Sequence, residues 1–273
     1  MFGTNGNDQD KGGQFFMNYA KWIAYFTRNR SNRPEPDWSS PITAQPEVLP
    51  PLLKSIEQFR LGDGGGPASL IAYDAERFRG RNEETRVIVD MWFAEEAEHA
   101  RLLGCAVKRF KGRYITSHWS FTAFCLCRRV LGVRFELQVL LLTELVSTAY
   151  YRLMRNHSPD AALTAMCELI LRDEAGHVAF HRERLADTDC STGGLRGILW
   201  RAQFELFGYA AATMLWVNHR PGLTAIGGSG VEYFTEVRRQ LHRFIFSLGR
   251  ATASIRTRAK WADVNAIRLG TTE

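Results

Sequence analysis

The sequence predicts an all-α chain: a four-helix bundle with a long crossover between its second and third helices, and accessory helices at both ends. Three observations carry this. Apolar residues recur at three- and four-residue spacing through most of the 273 residues. No segment sustains the apolar–polar alternation of a half-buried strand. Glycine and proline gather between the helical stripes, where chain breaks belong. With 45% hydrophobic and 23% charged residues, the composition is globular and supports one sizeable core. The expected organisation is an N-terminal extension over 1–45, the bundle over 46–190 and accessory C-terminal helices over 191–273.

In chain order, Phe15, Tyr19, Trp22, Ile23 and Phe26 predict a short amphipathic helix ending before Asn32-Arg33-Pro34. It suits a strap packed on the bundle better than a membrane or partner surface. Leu52, Leu53, Ile56 and Phe59 form the next stripe. Gly62 and Gly64 to Gly66 loosen it, and Pro67 can open a renewed helix through Leu70, Ile71, Ala75 and Phe78. Asn82 reads as an N-cap, and Glu83 and Glu84 place negative charge in the first turn of a long helix reaching about Phe110. Residues 111–132 are too long for a tight hairpin and suit a crossover. A helix from about Val133 to Arg155 follows. Ser158-Pro159-Asp160 caps the next, which runs to about Ala186. Two more stretches cover roughly Leu195 to Asn218 and Val231 to Arg250.

The net charge of +6 comes mostly from dispersed arginine, so specific nucleic-acid binding is not expected. Five cysteines without a regular framework fit reduced thiols in a cytoplasm. No secretory leader is evident. The longest uncharged apolar run, Leu206 to Val217, is too short to span a bilayer. The expected location is cytoplasmic, with no transmembrane segment.

Two short runs carry the chemistry: Glu95-Glu96-Ala97-Glu98-His99 and Asp173-Glu174-Ala175-Gly176-His177. Each holds a Glu-x-x-His, whose spacing puts a carboxylate and an imidazole on one helical face within reach of one cation. A single such motif is weak evidence. Two on paired helices, joined by one carboxylate from each of two others, make the di-metal arrangement of helical bundles. Glu144 supplies one, since it interrupts the apolar run Val139 to Val146 where a lone charge is costly. The bend near Ser158 lies 14 residues after Glu144 and 16 before Glu174, which at about 1.5 Å rise per residue sets both at similar depth. The same ruler applied from Arg81 points near residue 66. Asp63 is the nearest carboxylate on the N-terminal side, with Glu57 in reserve. The metal-ligand set is therefore Asp63, Glu96, His99, Glu144, Glu174 and His177.

The order carboxylate, Glu-x-x-His, long crossover, glutamate, Glu-x-x-His resembles the ferritin-like di-iron carboxylate superfamily, which includes acyl carrier protein desaturases, aldehyde-deformylating oxygenases and rubrerythrins. The run Ser55 to Asp63, with Ala94-Glu95-Glu96 and Ile170 to Glu174, looks closest to an uncharacterised bacterial branch that usually has glutamate where this chain has Asp63. The resemblance covers roughly residues 15–190. It implies two iron ions, or an iron/manganese pair, bound by the six ligands. It also implies a role for Ser147 and Thr148 as catalytic hydroxyls one turn beyond Glu144, where related oxygenases manage oxygen and protons. The alternative for both is a hydroxyl bonded to its own helix backbone.

Of the remaining residues, Tyr151 reads as a core aromatic or an electron relay, and His181, one turn after His177, as a surface histidine or as a group supporting the ligands. Glu95 and Glu98 are expected to point away from the ligands, and Asp173 to orient a ligating imidazole. The function expected is an oxygenase, hydroxylase or desaturase acting with O2 on a small organic or acyl substrate, in a channel near Trp92, Leu140 and Phe180. No flavin or nicotinamide motif is evident, so an external electron donor is implied, and a homodimer is allowed. The alternative is a ferroxidase or peroxide-scavenging protein without organic substrate. A ferritin cage subunit would be shorter, a rubrerythrin would carry a cysteine-rich module, and the 48 residues from Glu96 to Glu144 are short for a ribonucleotide reductase small subunit.

Overall fold

The apolar stripes fold into eight helices, with no strand among the described residues, in a computed structural model that describes residues 17–63, 70–72, 83–187 and 194–270. The helices are α1 (Tyr19–Ser31), α2 (Leu49–Gly62), α3 (Glu83–Arg109), α4 (Trp119–Val130), α5 (Gly132–His157), α6 (Ala161–Asp187), α7 (Gly194–Ala225) and α8 (Gly230–Gly270). The all-α expectation holds. No described helix is long and apolar enough to cross a membrane.

Local chemistry starts and stops these elements. The Asn18 side chain accepts the Lys21 backbone N–H and caps α1. Pro50 and Pro51 occupy the first turn of α2, where a missing N–H costs nothing. Ser158 Oγ accepts the Asp160 N–H, and Asp160 Oδ1 accepts that of Leu163, opening α6. Asp160 is fully buried and pairs with Arg109 at 2.8 Å, which ties the end of α3 to the start of α6.

Helix α3 packs on α2 and α6, and α5 pairs with α6. Helix α1 lies over the α3–α6 seam: it packs on α3, and Trp22 meets Phe180 of α6 edge-on at 5.6 Å. Helices α7 and α8 cover α2, α5 and α6 from the other direction. The interior has two apolar clusters. One gathers Trp22, Phe26, Ile88, Val89, Trp92, Leu137, Leu140 and Phe180. The larger joins Leu52, Ile56, Leu102, Leu103, Leu145, Tyr150 and Met166 to residues of α7 and α8. Along α3, α5 and α6 the polar residues singled out by the sequence fall between the two, as a charged layer closed off at both ends.

Four sequence expectations change. The renewed helix after Pro67 lies mostly outside the described residues, as does the Asn82 cap, but Leu70 to Ala72 is not helical. There the backbone N–H groups of Ile71 and Ala72 both donate to the buried Glu136 carboxylate, which draws them out of a helical ladder. The 111–132 crossover contains a helix of its own, α4. Helix α7 continues through Pro221, because the carbonyl deprived of its partner belongs to the exposed Val217 and water can satisfy it. Helix α8 runs on to Gly270 through sequence rich in alanine and arginine, both good helix formers.

Close packing of α7 on α2 requires a glycine. A Cβ at Gly222 would lie 2.7 Å from Ser55 Cβ and 2.8 Å from the Pro51 carbonyl oxygen, part of which is rigid backbone. A Cβ at Gly249 in α8 would meet nothing within 4 Å. Gly222→Ala is therefore expected to cost about 1–3 kcal/mol despite alanine's better propensity. Gly249→Ala should instead add about 0.5–1 kcal/mol. Urea unfolding of the two variants side by side checks the opposite signs.

Candidate metal centre

Four helices each bring at least one carboxylate to the charged layer. Asp63 stands at the C-terminal end of α2, with its backbone N–H donating to the Phe59 carbonyl. Glu96 and His99 come from α3, Glu144 from α5, and Glu174 and His177 from α6. They form two overlapping groups that could hold a metal ion: Asp63, Glu96, His99 and Glu174, and then Glu96, Glu144, Glu174 and His177. Within each group one ligand atom per residue lies within 4.8 Å of all the others. Glu57, the reserve, faces elsewhere and accepts the Arg113 backbone N–H at 2.8 Å.

Glu96 and Glu174 belong to both groups because each splits its two oxygens. Glu96 Oε2 lies 3.7 Å from His99 Nδ1, while its Oε1 lies 3.0 Å from His177 Nδ1. Glu174 Oε1 lies 3.9 Å from His99 Nδ1, while its Oε2 lies 3.7 Å from His177 Nδ1. Two ligand atoms that each sit about 2.0–2.2 Å from one cation can stand no more than about 4.4 Å apart, and all of these separations lie inside that span. Asp63 Oδ2 completes the His99 side at 3.9 Å, and Glu144 Oε1 the His177 side at 3.9 Å.

Each imidazole turns its other nitrogen to a carboxylate on the opposite helix. His99 Nε2 is 3.1 Å from Asp173 Oδ2, and His177 Nε2 is 2.9 Å from Glu95 Oε2. The arrangement is reciprocal: the acidic residue just before each ligand glutamate orients the histidine of the other helix. From α1, the Asn29 amide nitrogen donates to both of these carboxylates, to Glu95 Oε1 at 2.8 Å and to Asp173 Oδ1 at 2.7 Å. Arg33 adds an ion pair to Asp173 at 2.6 Å. With Nε2–H committed outward, Nδ1 of each ring is left with a lone pair facing the cluster.

Asp173 does orient an imidazole. Glu95 does not point away from the ligands, because α6 packs over the flank of α3 that a lone helix would leave in water. His181 is buried rather than superficial. Its Nδ1 accepts from Arg184, and its Nε2 lies 3.4 Å from Glu144 Oε1. Tyr151 donates its phenol hydrogen to Asp63 Oδ2 at 2.6 Å. Ser147 and Thr148 both donate to the Glu144 backbone carbonyl, at 3.0 and 2.8 Å, so the backbone alternative describes their hydroxyls, although Ser147 also lines the cavity described below. Sequence reasoning missed Asn29, Arg33 and Glu95, and left His181 between two readings, of which its burial removes the surface one. A usable signal existed for Glu95, since both motifs carry an acidic residue directly before the ligand glutamate.

The chemistry of the donor set fits a cation. The buried atoms without a hydrogen-bond partner include Nδ1 of His99 and of His177, both oxygens of Glu144 and Oε2 of Glu174, and all of these face the cluster. Burial, with Glu96 adding repulsion, pushes the Asp63 carboxyl up to about 7. Burial likewise holds Glu144 and Glu174 above the usual carboxylate range. Glu96 moves the other way, because contacts with His177 and His99 outweigh its burial. Both histidines are raised: burial lowers them, but Asp173 and Glu96 outweigh it at His99, and Glu174, Glu95 and Glu96 at His177. Without a metal the cluster therefore retains protons that a cation must displace.

A cavity of about 1140 Å³, counting its open mouth, reaches the four carboxylates. Phe59, Trp92, Phe93, Phe121, Phe124 and Leu140 give it apolar walls. Phe180 is not part of this lining and packs instead with Trp22 and Phe26.

Two outcomes follow from the electrostatics and the bridging amide. A carboxyl raised in the folded state, as at Asp63, favours folding at low pH and loses that advantage as pH rises from about 4 through about 7, and the two raised imidazoles begin to lose theirs above about 6.5. The metal-free protein should accordingly lose melting temperature between pH 5 and 8, while the increment given by saturating manganese or zinc grows over the same range, as calorimetry can measure. Asn29→Ala should weaken metal affinity about 10- to 100-fold with little change in helix content, checked by competition with a chelating dye.

Against known proteins, no family model, curated protein or solved structure matches this chain, so its chemistry has to be read from the centre itself.

Proposed function

We propose that this chain is a ferritin-like di-iron, or iron/manganese, oxidoreductase that activates oxygen for attack on an organic substrate. The observation that carries the reading is the split of Glu96 and Glu174 between the two histidines, the arrangement suited to bridging two cations held by Asp63 and His99 on one side and Glu144 and His177 on the other. Carboxylate and imidazole donors suit iron or manganese, and an iron pair, when bound, supplies the electrons that reduce dioxygen.

The chain's own residues do the remaining work. Asp173 and Glu95 fix the tautomers of His99 and His177 by accepting their Nε2–H, so that each Nδ1 lone pair is available as a ligand. Tyr151 holds the Asp63 carboxylate by its hydrogen bond, and Trp92 Nε1 donates to Glu96 at 3.2 Å. Asp63 and Glu96 are the most open ligands, each side chain 14% exposed, which places access for small molecules on the cavity side. The aromatic walls exclude water and favour an apolar substrate there. The cavity is also what favours a substrate enzyme over iron storage. Electrons come from a separate donor or from the substrate.

The test is anaerobic ferrous loading followed by stopped-flow mixing with O2. Binding of about two irons per chain and a transient absorption band are expected. Both should be lost in Glu144→Ala and His177→Ala. Failure to bind two metals under any loading condition would falsify the proposal, and accumulation of many irons per chain would replace it with storage.

A further inference from the structure

Beside the carboxylates, the same cavity is lined by His219 of α7, whose ring belongs to a buried hydrogen-bonded chain. Ser55 Oγ lies 2.9 Å from the Tyr150 hydroxyl and 3.0 Å from His219 Nδ1. One proton order satisfies every member. The fully buried Tyr150 hydroxyl has Ser55 as its hydrogen-bond partner among the described residues, so its hydrogen goes to Ser55 Oγ. The Ser55 hydrogen then goes to His219 Nδ1, which must accept it. That network assigns the tautomer: the ring is neutral and carries its hydrogen on Nε2. Burial, with His118 adding like charge, pushes the ring down to about 3, so it stays neutral at working pH.

The ring is also held in place. Phe59 and Tyr150 pack against it with centroids at 5.1 and 5.2 Å. Gly222, one turn further along α7, lets the helix approach Ser55 closely enough for the chain to form. With the Nδ1 edge taken by Ser55, the Nε2–H edge is the one left to meet the cavity. A donor fixed in this way recognises an acceptor atom.

The charge of the walls narrows the ligand. Arg128 is the cation in the lining, and Glu136 is already committed to it, at 2.9 Å from both Nε and a terminal nitrogen. The other charged groups in the lining are Asp63, Glu96, Glu144 and Glu174, all acidic. An anionic ligand would meet repulsion without a dedicated partner.

We propose that this cavity binds a neutral molecule with an apolar body and a carbonyl-type acceptor, a ketone, amide or ester, whose oxygen accepts a hydrogen bond from His219 Nε2–H. The aromatic walls take the apolar body, and the acceptor end fixes its orientation beside the carboxylate cluster. This deepens the reading of the cavity as a substrate site and rests on it, but the binding itself needs neither iron nor oxygen.

Calorimetric titration of the full chain before iron loading, with three matched probes, tests it. Butyrophenone should bind at least about fivefold tighter than butylbenzene, the yield of one hydrogen bond to a buried donor, and 4-phenylbutyrate should bind weakest. His219→Phe should abolish the ketone preference while leaving butylbenzene affinity within about twofold. His219→Gln keeps a donor and should retain part of the preference. Ser55→Ala, which releases the tautomer, should reduce it. Equal binding of ketone and hydrocarbon, tighter binding of the carboxylate, a preference that survives His219→Phe, or no binding of any probe would overturn the proposal. Because no metal is present, ketone selectivity in a protein that takes up no iron would sink only the oxygen chemistry. Two bound irons without ketone selectivity would sink only this inference.

Discussion

Like charges a few ångströms apart repel more strongly as water is thinned out, and Asp63, Glu96, Glu144 and Glu174 meet where two of them are buried and the other two are little exposed. Neither apolar cluster can relieve that repulsion, and two imidazoles offset it only in part. The surrounding layout makes sense as containment. Arg109 and Asp160 lock the end of α3 to the start of α6, α1 seals the seam between them, and α7 and α8 back the helices that carry Asp63 and Glu144. Packing that holds four acids this close is compatible with a cation between them.

The layer behind the ligands does a different job. Asp173 and Glu95 both accept from Asn29, and Asp173 also forms an ion pair with Arg33, so each carboxylate has a partner on the side away from the cluster. Asp173 is consequently held well below the usual carboxylate range: burial raises it, but His99 and Arg33 outweigh that. It stays ionised and keeps His99 in one tautomer. The N-terminal strap therefore takes part in positioning the centre through a single amide.

Much of this was legible in the sequence because helical periodicity and axial rise are simple rulers. Counting from the bend near Ser158 set Glu144 level with Glu174, and counting from Arg81 favoured Asp63 over Glu57; in the structure Asp63 lies in the cluster and Glu57 at Arg113. What the rulers cannot see is which flank a neighbouring helix will cover. Glu95 sits about 100° around α3 from Glu96, which looks like a solvent position until α6 occupies it. His181 looked superficial because α6 carries polar residues on every side and shows no single apolar stripe, although about half of it is buried and little of it is fully exposed. Asn29 had no local signature, since its meaning lies in two residues 66 and 144 positions away. The helix continuing through Pro221 was likewise unreadable, because the rule against internal proline yields where the orphaned carbonyl faces water.

The reciprocal pairing of His99 with Asp173 and of His177 with Glu95 works as a parity check on assembly. Sliding α6 by one residue against α3 would rotate its side chains by about 100° and break both pairs at once, with no intermediate register that keeps one of them. A misregistered chain would then bury two unanswered carboxylates and two unanswered imidazoles together, an error large enough to reject. The centre thus proofreads the alignment of the two helices that create it.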